Sequence, residues 1–72
     1  MNNSEYVTIS DFLSVFVTDL NVFVYDNEVD EFHDHIVLFR GLVSELRNHD
    51  YLKKRDIFQV QSSANFLFIF LM

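Results

Sequence analysis

The groups of this 72-residue chain best placed to do chemistry crowd into one stretch. They are the carboxylates Asp26, Glu28, Asp30, Glu31 and Asp34, with imidazoles at His33 and His35. Oxygens at alternate positions from Asp26 onward would suit calcium, but such a loop needs glycine at its sixth position and glutamate at its twelfth. Those positions hold Glu31 and Val37, and the stretch reads as a solvated acidic turn. On a strand His33 and His35 would share one face, about 6.6–6.8 Å apart. With Asp30 or Glu31 they could hold zinc in a partly open site. No third ligand stands at a diagnostic spacing and His49 is remote in sequence. The pair therefore reads as a polar strand start, and no metal or other cofactor is expected.

Catalysis needs a nucleophile beside a base, or paired carboxylates in a cleft. None of Ser10, Ser14, Ser44, Ser62 and Ser63 sits in a nucleophile-elbow context. The single glycine, Gly41, could build neither a P-loop nor a dinucleotide fingerprint. A chain this short has little room for a substrate pocket beside its core. The expectation is a binder, not an enzyme.

Charge narrows the partner. The basic residues Arg40, Arg47, Lys53, Lys54 and Arg55 all lie in the second half, and the net charge is −6. The first half is uniformly acidic and densest at residues 26–34. Such a field repels nucleic acid and anionic membrane and attracts a basic protein surface. Lys53, Lys54 and Arg55 read as a solubilising turn instead of a nucleic-acid contact. Carboxylates at alternate strand positions could present a phosphate-like row to a groove built for nucleic acid. They could equally serve only solubility.

These groups need elements to hold them. Thr8-Ile9-Ser10-Asp11 has the form of a capping box, and Ile9, Phe12, Leu13, Phe16, Val17 and Leu20 recur at helical spacing. This predicts a helix over residues 9–18. Branched and aromatic residues predict strands over 22–25, 32–40, 57–61 and 66–71, with a second helix over 43–49. Gly41 is expected to close the second strand at positive φ. The fold is therefore α+β, one domain over residues 1–72 in the order α-β-β-α-β-β. A four-stranded, mostly antiparallel sheet carries two helices on one face.

Alternate strand residues face opposite sides of a sheet. Three of these strands are apolar on both sides, and two short helices can cover only one face. The other face should remain sticky, and Phe23, Tyr25, Val37, Phe39, Phe66, Phe68 and Phe70 are assigned to it as a self-association surface. A domain near the lower size limit, with no cysteine for a disulfide, has reason to gain stability by forming a homodimer. The start carries no positive n-region or apolar h-region, so no targeting segment is expected. The apolar run at residues 66–72 is far short of the roughly 20 residues of a membrane span. A cytoplasmic location follows as the expectation.

Thr8-Ile9-Ser10-Asp11-Phe12-Leu13, Val22-Phe23-Val24-Tyr25-Asp26-Asn27, Leu38-Phe39-Arg40-Gly41, Val43-Ser44-Glu45-Leu46 and the apolar C-terminal strand form a whole-chain pattern. It resembles small acidic proteins encoded by phages and prophages of low-GC Gram-positive bacteria. The 26–34 segment departs from the short hairpin turn expected in that group. Some small acidic phage proteins of similar build inhibit host defence nucleases, CRISPR effectors among them, by occupying nucleic-acid grooves or blocking assembly. The resemblance thus implies an inhibitor in a bacterial host cell. Its acidic face, Asp26, Glu28, Asp30, Glu31 and Asp34, would dock on a basic surface of a host protein. The competing expectation is a structural or assembly module that homodimerises through its apolar sheet face.

Overall fold

The structure is a computed structural model that describes residues 6–16 and 18–72. Residues 1–5, read as free of targeting signals, lie outside the described residues, as does Val17 of the first apolar stripe. The elements are α1 (Ile9–Leu13), β1 (Asn21–Val29), β2 (His35–Leu42), α2 (Val43–Arg47), a 3-10 turn (Leu52–Lys54), β3 (Ile57–Ser63) and β4 (Phe66–Leu71). The strands form one mixed sheet in the order β2-β1-β4-β3. Its outer pairs are antiparallel hairpins, and the central β1–β4 pair is parallel. The α+β class, the element order and the four-stranded, mostly antiparallel sheet match the sequence reading.

One face of the sheet is dry. Val22 and Val24 of β1, Leu67, Ile69 and Leu71 of β4 and Ile57 of β3 are buried against Ile9 and Leu13 of α1, Val43 and Leu46 of α2, and Leu52 of the 3-10 turn. Each such side chain contributes about 1.5–3 kcal/mol on leaving water. Phe12, Phe16, Leu20, Leu38, Phe39 and Val60 pack around this core.

Both helices are one turn long, shorter than expected, and polar contacts hold their ends. Thr8 Oγ1 caps α1 by accepting from the Asp11 amide at 3.2 Å. At the other end the Ser14 hydroxyl donates to the Asp11 carbonyl at 2.6 Å, and residues 14–15 leave the helix in a turn. Branched Val15 disfavours further helix at this point. From α2 the Arg47 guanidinium donates to the Leu13 carbonyl at 2.8 Å and to that of Phe16. Backbone acceptors that a longer helix would have used internally thus tie α1 to α2. At the start of α2 the Glu45 carboxylate accepts from the Leu42 amide at 2.9 Å.

Gly41 lies inside β2 and not at positive φ; the left-handed residues are His33 at 66° and Ala64 at 49°. The reason for glycine is space. A Cβ at position 41 would sit 2.5 Å from Glu45 Oε1 and 3.1 Å from Phe39 Cζ. β1 is longer than expected and takes in Asp26 and Glu28, and β2 starts at His35 and not at residue 32. The hairpin loop is therefore residues 30–34.

Candidate interaction surface: the open sheet face

Strand register lays out the face that the helices leave bare. Directly paired residues share a side of the sheet, and the pairings give three rows running β2, β1, β4, β3. The first is Leu42, Asn21, Phe66, Ser63; the second Arg40, Phe23, Phe68, Gln61; the third Val37, Tyr25, Phe70, Gln59. The two middle columns are aromatic but for Asn21. Their rings form a zigzag stack: Phe66 to Phe23 at 5.9 Å, Phe23 to Phe68 at 5.4 Å, Phe68 to Tyr25 at 6.5 Å and Tyr25 to Phe70 at 5.1 Å. The His35 imidazole closes the end of the stack edge-on to Phe70 at 5.4 Å. Such pairs add about 0.5–1.5 kcal/mol each beyond their buried area, and they tie β1 to β4 across this face.

This face is wet. Val37 is 52% exposed and Phe66 41%, while Phe23, Tyr25, Phe68 and Phe70 are half-buried by one another. Six of the seven residues assigned to the surface from the sequence lie together on it. Phe39 does not. A bulge between Val24 and Tyr25 pairs Val24 with Phe39 but Tyr25 with Val37, skipping Leu38. The extra residue flips the alternation, so Leu38 and Phe39 both pack on the core, where Phe39 meets His49 edge-on at 5.8 Å. The sequence reading also missed the two outer columns. Arg40 and Leu42 on β2 and Ser63, Gln61 and Gln59 on β3 border the aromatics, and alternation counted backward from Gly41 would have found the first pair.

The acidic segment does not act as one unit. Asp26 sits in β1, where its carboxylate accepts from the Asn27 amide at 2.6 Å and lies 3.9 Å from the Arg55 guanidinium. Asp30 organises the hairpin loop, its Oδ1 accepting from the amides of Phe32 at 2.8 Å and Asp34 at 3.0 Å. Those bonds hold His33 in its left-handed conformation. Glu28, Glu31 and Asp34 are exposed, and their carboxylates have no partner among the described residues. Three of the five carboxylates are thus free of local contacts, and Asp30, exposed beside them, adds its carboxylate at the same end of the sheet.

The expected face-sharing of the two imidazoles does not occur, because His33 is in the loop while His35 is on β2. The His35 Nδ1 lies 3.2 Å from the Asp26 carbonyl. Among the described residues no three His, Asp or Glu side chains converge as a metal would require. A shallow cleft of about 320 Å³ opens where the end of the aromatic face meets Asp26, Asn27 and Phe58. The one serine hydroxyl bonded to a carboxylate among the described residues is that of Ser44, donating to Asp19 Oδ2 at 2.7 Å; the Asp19 carboxylate thereby caps the first turn of α2. No helix among the described residues is long and apolar enough to cross a membrane. Comparison with family models, with curated proteins and with solved structures finds no match for this chain.

Proposed function

We propose that this protein is a non-catalytic interaction module that homodimerises through its open aromatic sheet face. The observation that carries the reading is the exposed, in-register stack of Phe66, Phe23, Phe68, Tyr25 and Phe70 opposite a fully covered core face. A contiguous apolar patch of a few hundred Å² on so small a domain is often functional. A second surface, the tip carboxylates Glu28, Glu31 and Asp34, supports the reading suggested by the phage resemblance. In that reading the dimer is an inhibitor whose acidic tips dock on a basic nucleic-acid-binding surface of a host defence protein, such as a CRISPR effector nuclease, inside the bacterial cell.

The two surfaces have opposite salt signatures. Copies of a −6 chain repel one another, so screening by salt tightens self-association. Screening weakens an acidic tip docked on a basic groove. Sedimentation over a concentration series up to the millimolar range, at low and high salt, should give a dimer that strengthens with salt. A monomer under both conditions would remove the reading. Capture of a nucleic-acid-binding host protein at low salt, released at high salt, would add the inhibitor role.

A further inference from the structure

Resting on this homodimer reading, we infer that the dimer's twofold axis runs parallel to the strands, so that Arg40 of each copy lies over the partner copy's Gln61. The outer columns of the open face carry the argument. On the β2 side stand Leu42, Arg40 and Val37; on the β3 side stand Ser63, Gln61 and Gln59. Arg40 is the one charged residue among the twelve positions of the three rows, and its side chain is exposed with no ion pair or hydrogen bond among the described residues.

Two sheets that meet face to face lie about 10 Å apart with their strands within about 30° of alignment. A twofold axis in the plane between them has two choices. An axis across the strands stacks β2 on the partner's β2. Arg40 then faces a column of Leu42, Arg40 and Val37 that offers no acceptor, and a guanidinium loses water without compensation. An axis along the strands stacks β2 on the partner's β3. Arg40 then meets Gln61 in its own row, with Gln59 and Ser63 beside it, all three with side-chain oxygens that accept. In the same arrangement β1 lies over the partner's β4, and Phe23 meets Phe68 across the axis.

The area sets the strength. Four strands about 4.8 Å apart and three rows about 6.7 Å apart give a footprint of roughly 390 Å² per copy. Two copies bury roughly 780 Å² in total, at the low end of interface sizes, where contacts are weak and transient. The axis also places both acidic tips at the same end of the dimer, a paired anionic prong for one basic surface.

The native chain has no cysteine, which makes the geometry directly readable. L42C, S63C and V37C variants, which keep Arg40 in place and are each confirmed folded by circular dichroism, are mixed in pairs with a bis-maleimide long enough to bridge sheets about 10 Å apart. The mixture of L42C and S63C should give a covalent dimer, and the mixture of L42C and V37C should give little. Efficient cross-linking of L42C with V37C would overturn the axis while leaving the dimer standing. A dimer by sedimentation with no cross-link in any combination would overturn the face. A monomer by sedimentation would overturn the underlying reading. As an independent measure, Arg40→Glu should weaken the dimer at least tenfold, and adding Gln61→Lys to the same chain should restore it. Failure of that rescue, with both variants folded, counts against the pairing.

Discussion

The Asp19 carboxylate holds Ser44 twice, accepting from its amide at 2.8 Å through one oxygen and from its hydroxyl at 2.7 Å through the other. Asp19 lies 25 residues before Ser44, so the first turn of α2 is capped from the loop that follows α1. The Ser44 hydroxyl first, then the Ser44 amide, hold the Asp19 carboxyl below its ordinary value of 3.8. The unfolded chain therefore binds this proton more readily than the folded one. The stabilisation is fully present above the unfolded value and disappears as pH falls through the folded one. Wild type should have a higher urea midpoint than Asp19→Asn at neutral pH, with the gap closing as pH drops below 3.8. An undiminished gap at low pH would show that the charge plays no part.

Gly41 and Glu45 are coupled in the same region. A Cβ at position 41 displaces the Glu45 carboxylate from the Leu42 amide, so Gly41→Ala should cost about 1 kcal/mol, as loss of a cap does. Glu45→Ala should cost a similar amount, and the double variant clearly less than the sum, because both lose one contact. Denaturant melts of the four proteins complete the cycle; strict additivity would refute the steric link.

The two faces of β1 and β4 should respond oppositely to substitution. Ile69→Ala on the covered face opens a cavity and should cost about 2–5 kcal/mol, enough to unfold a domain this small. Phe68→Gln on the open face should leave circular dichroism native and abolish self-association. Equal loss of fold in both variants would mean that the aromatic stack is core and not interface.

The acidic residues should divide the same way. Reversing Glu28, Glu31 and Asp34 to Lys leaves every side-chain hydrogen bond of the described residues intact and should keep the fold while removing attraction to a basic surface. Asp30→Ala removes the acceptor for two backbone amides. Hydrogen exchange at Phe32 and Asp34 should accelerate by more than tenfold, with strand amides protected as before. Unchanged exchange at those two sites would remove the loop-organising role.

Local residue patterning determined most of the architecture. Thr8 before an apolar stripe, branched and aromatic runs at 22–25 and 66–71, and too little helix to cover two faces specify an α+β sheet with one bare side. They act within a few residues along the chain, which is why they are legible there. The partnering of β1 with β4, in parallel and at the centre of the sheet, is a tertiary outcome that pairs residues 45 positions apart, Asn21 with Phe66 through Tyr25 with Phe70. It brings Phe23 and Tyr25 alongside Phe66, Phe68 and Phe70.

Register decided the rest. One skipped residue, Leu38, moved Phe39 from the open face to the core, because strand alternation has period two and a single insertion inverts it. Glycine at position 41 answers to a carboxylate four residues ahead and an aromatic ring two behind, a crowding visible only once β2 turns into α2. The five carboxylates separate through local hydrogen bonds of the folded hairpin. Their charge is fixed by the sequence, but the fold engages Asp26 and Asp30 as structural acceptors and leaves Glu28, Glu31 and Asp34 free in solvent. Composition sets how much charge and apolar surface the chain carries; which apolar side chains remain available for a partner is set by packing that forms only when distant segments meet, and which carboxylates remain is set by the hairpin in which Asp26 and Asp30 bond.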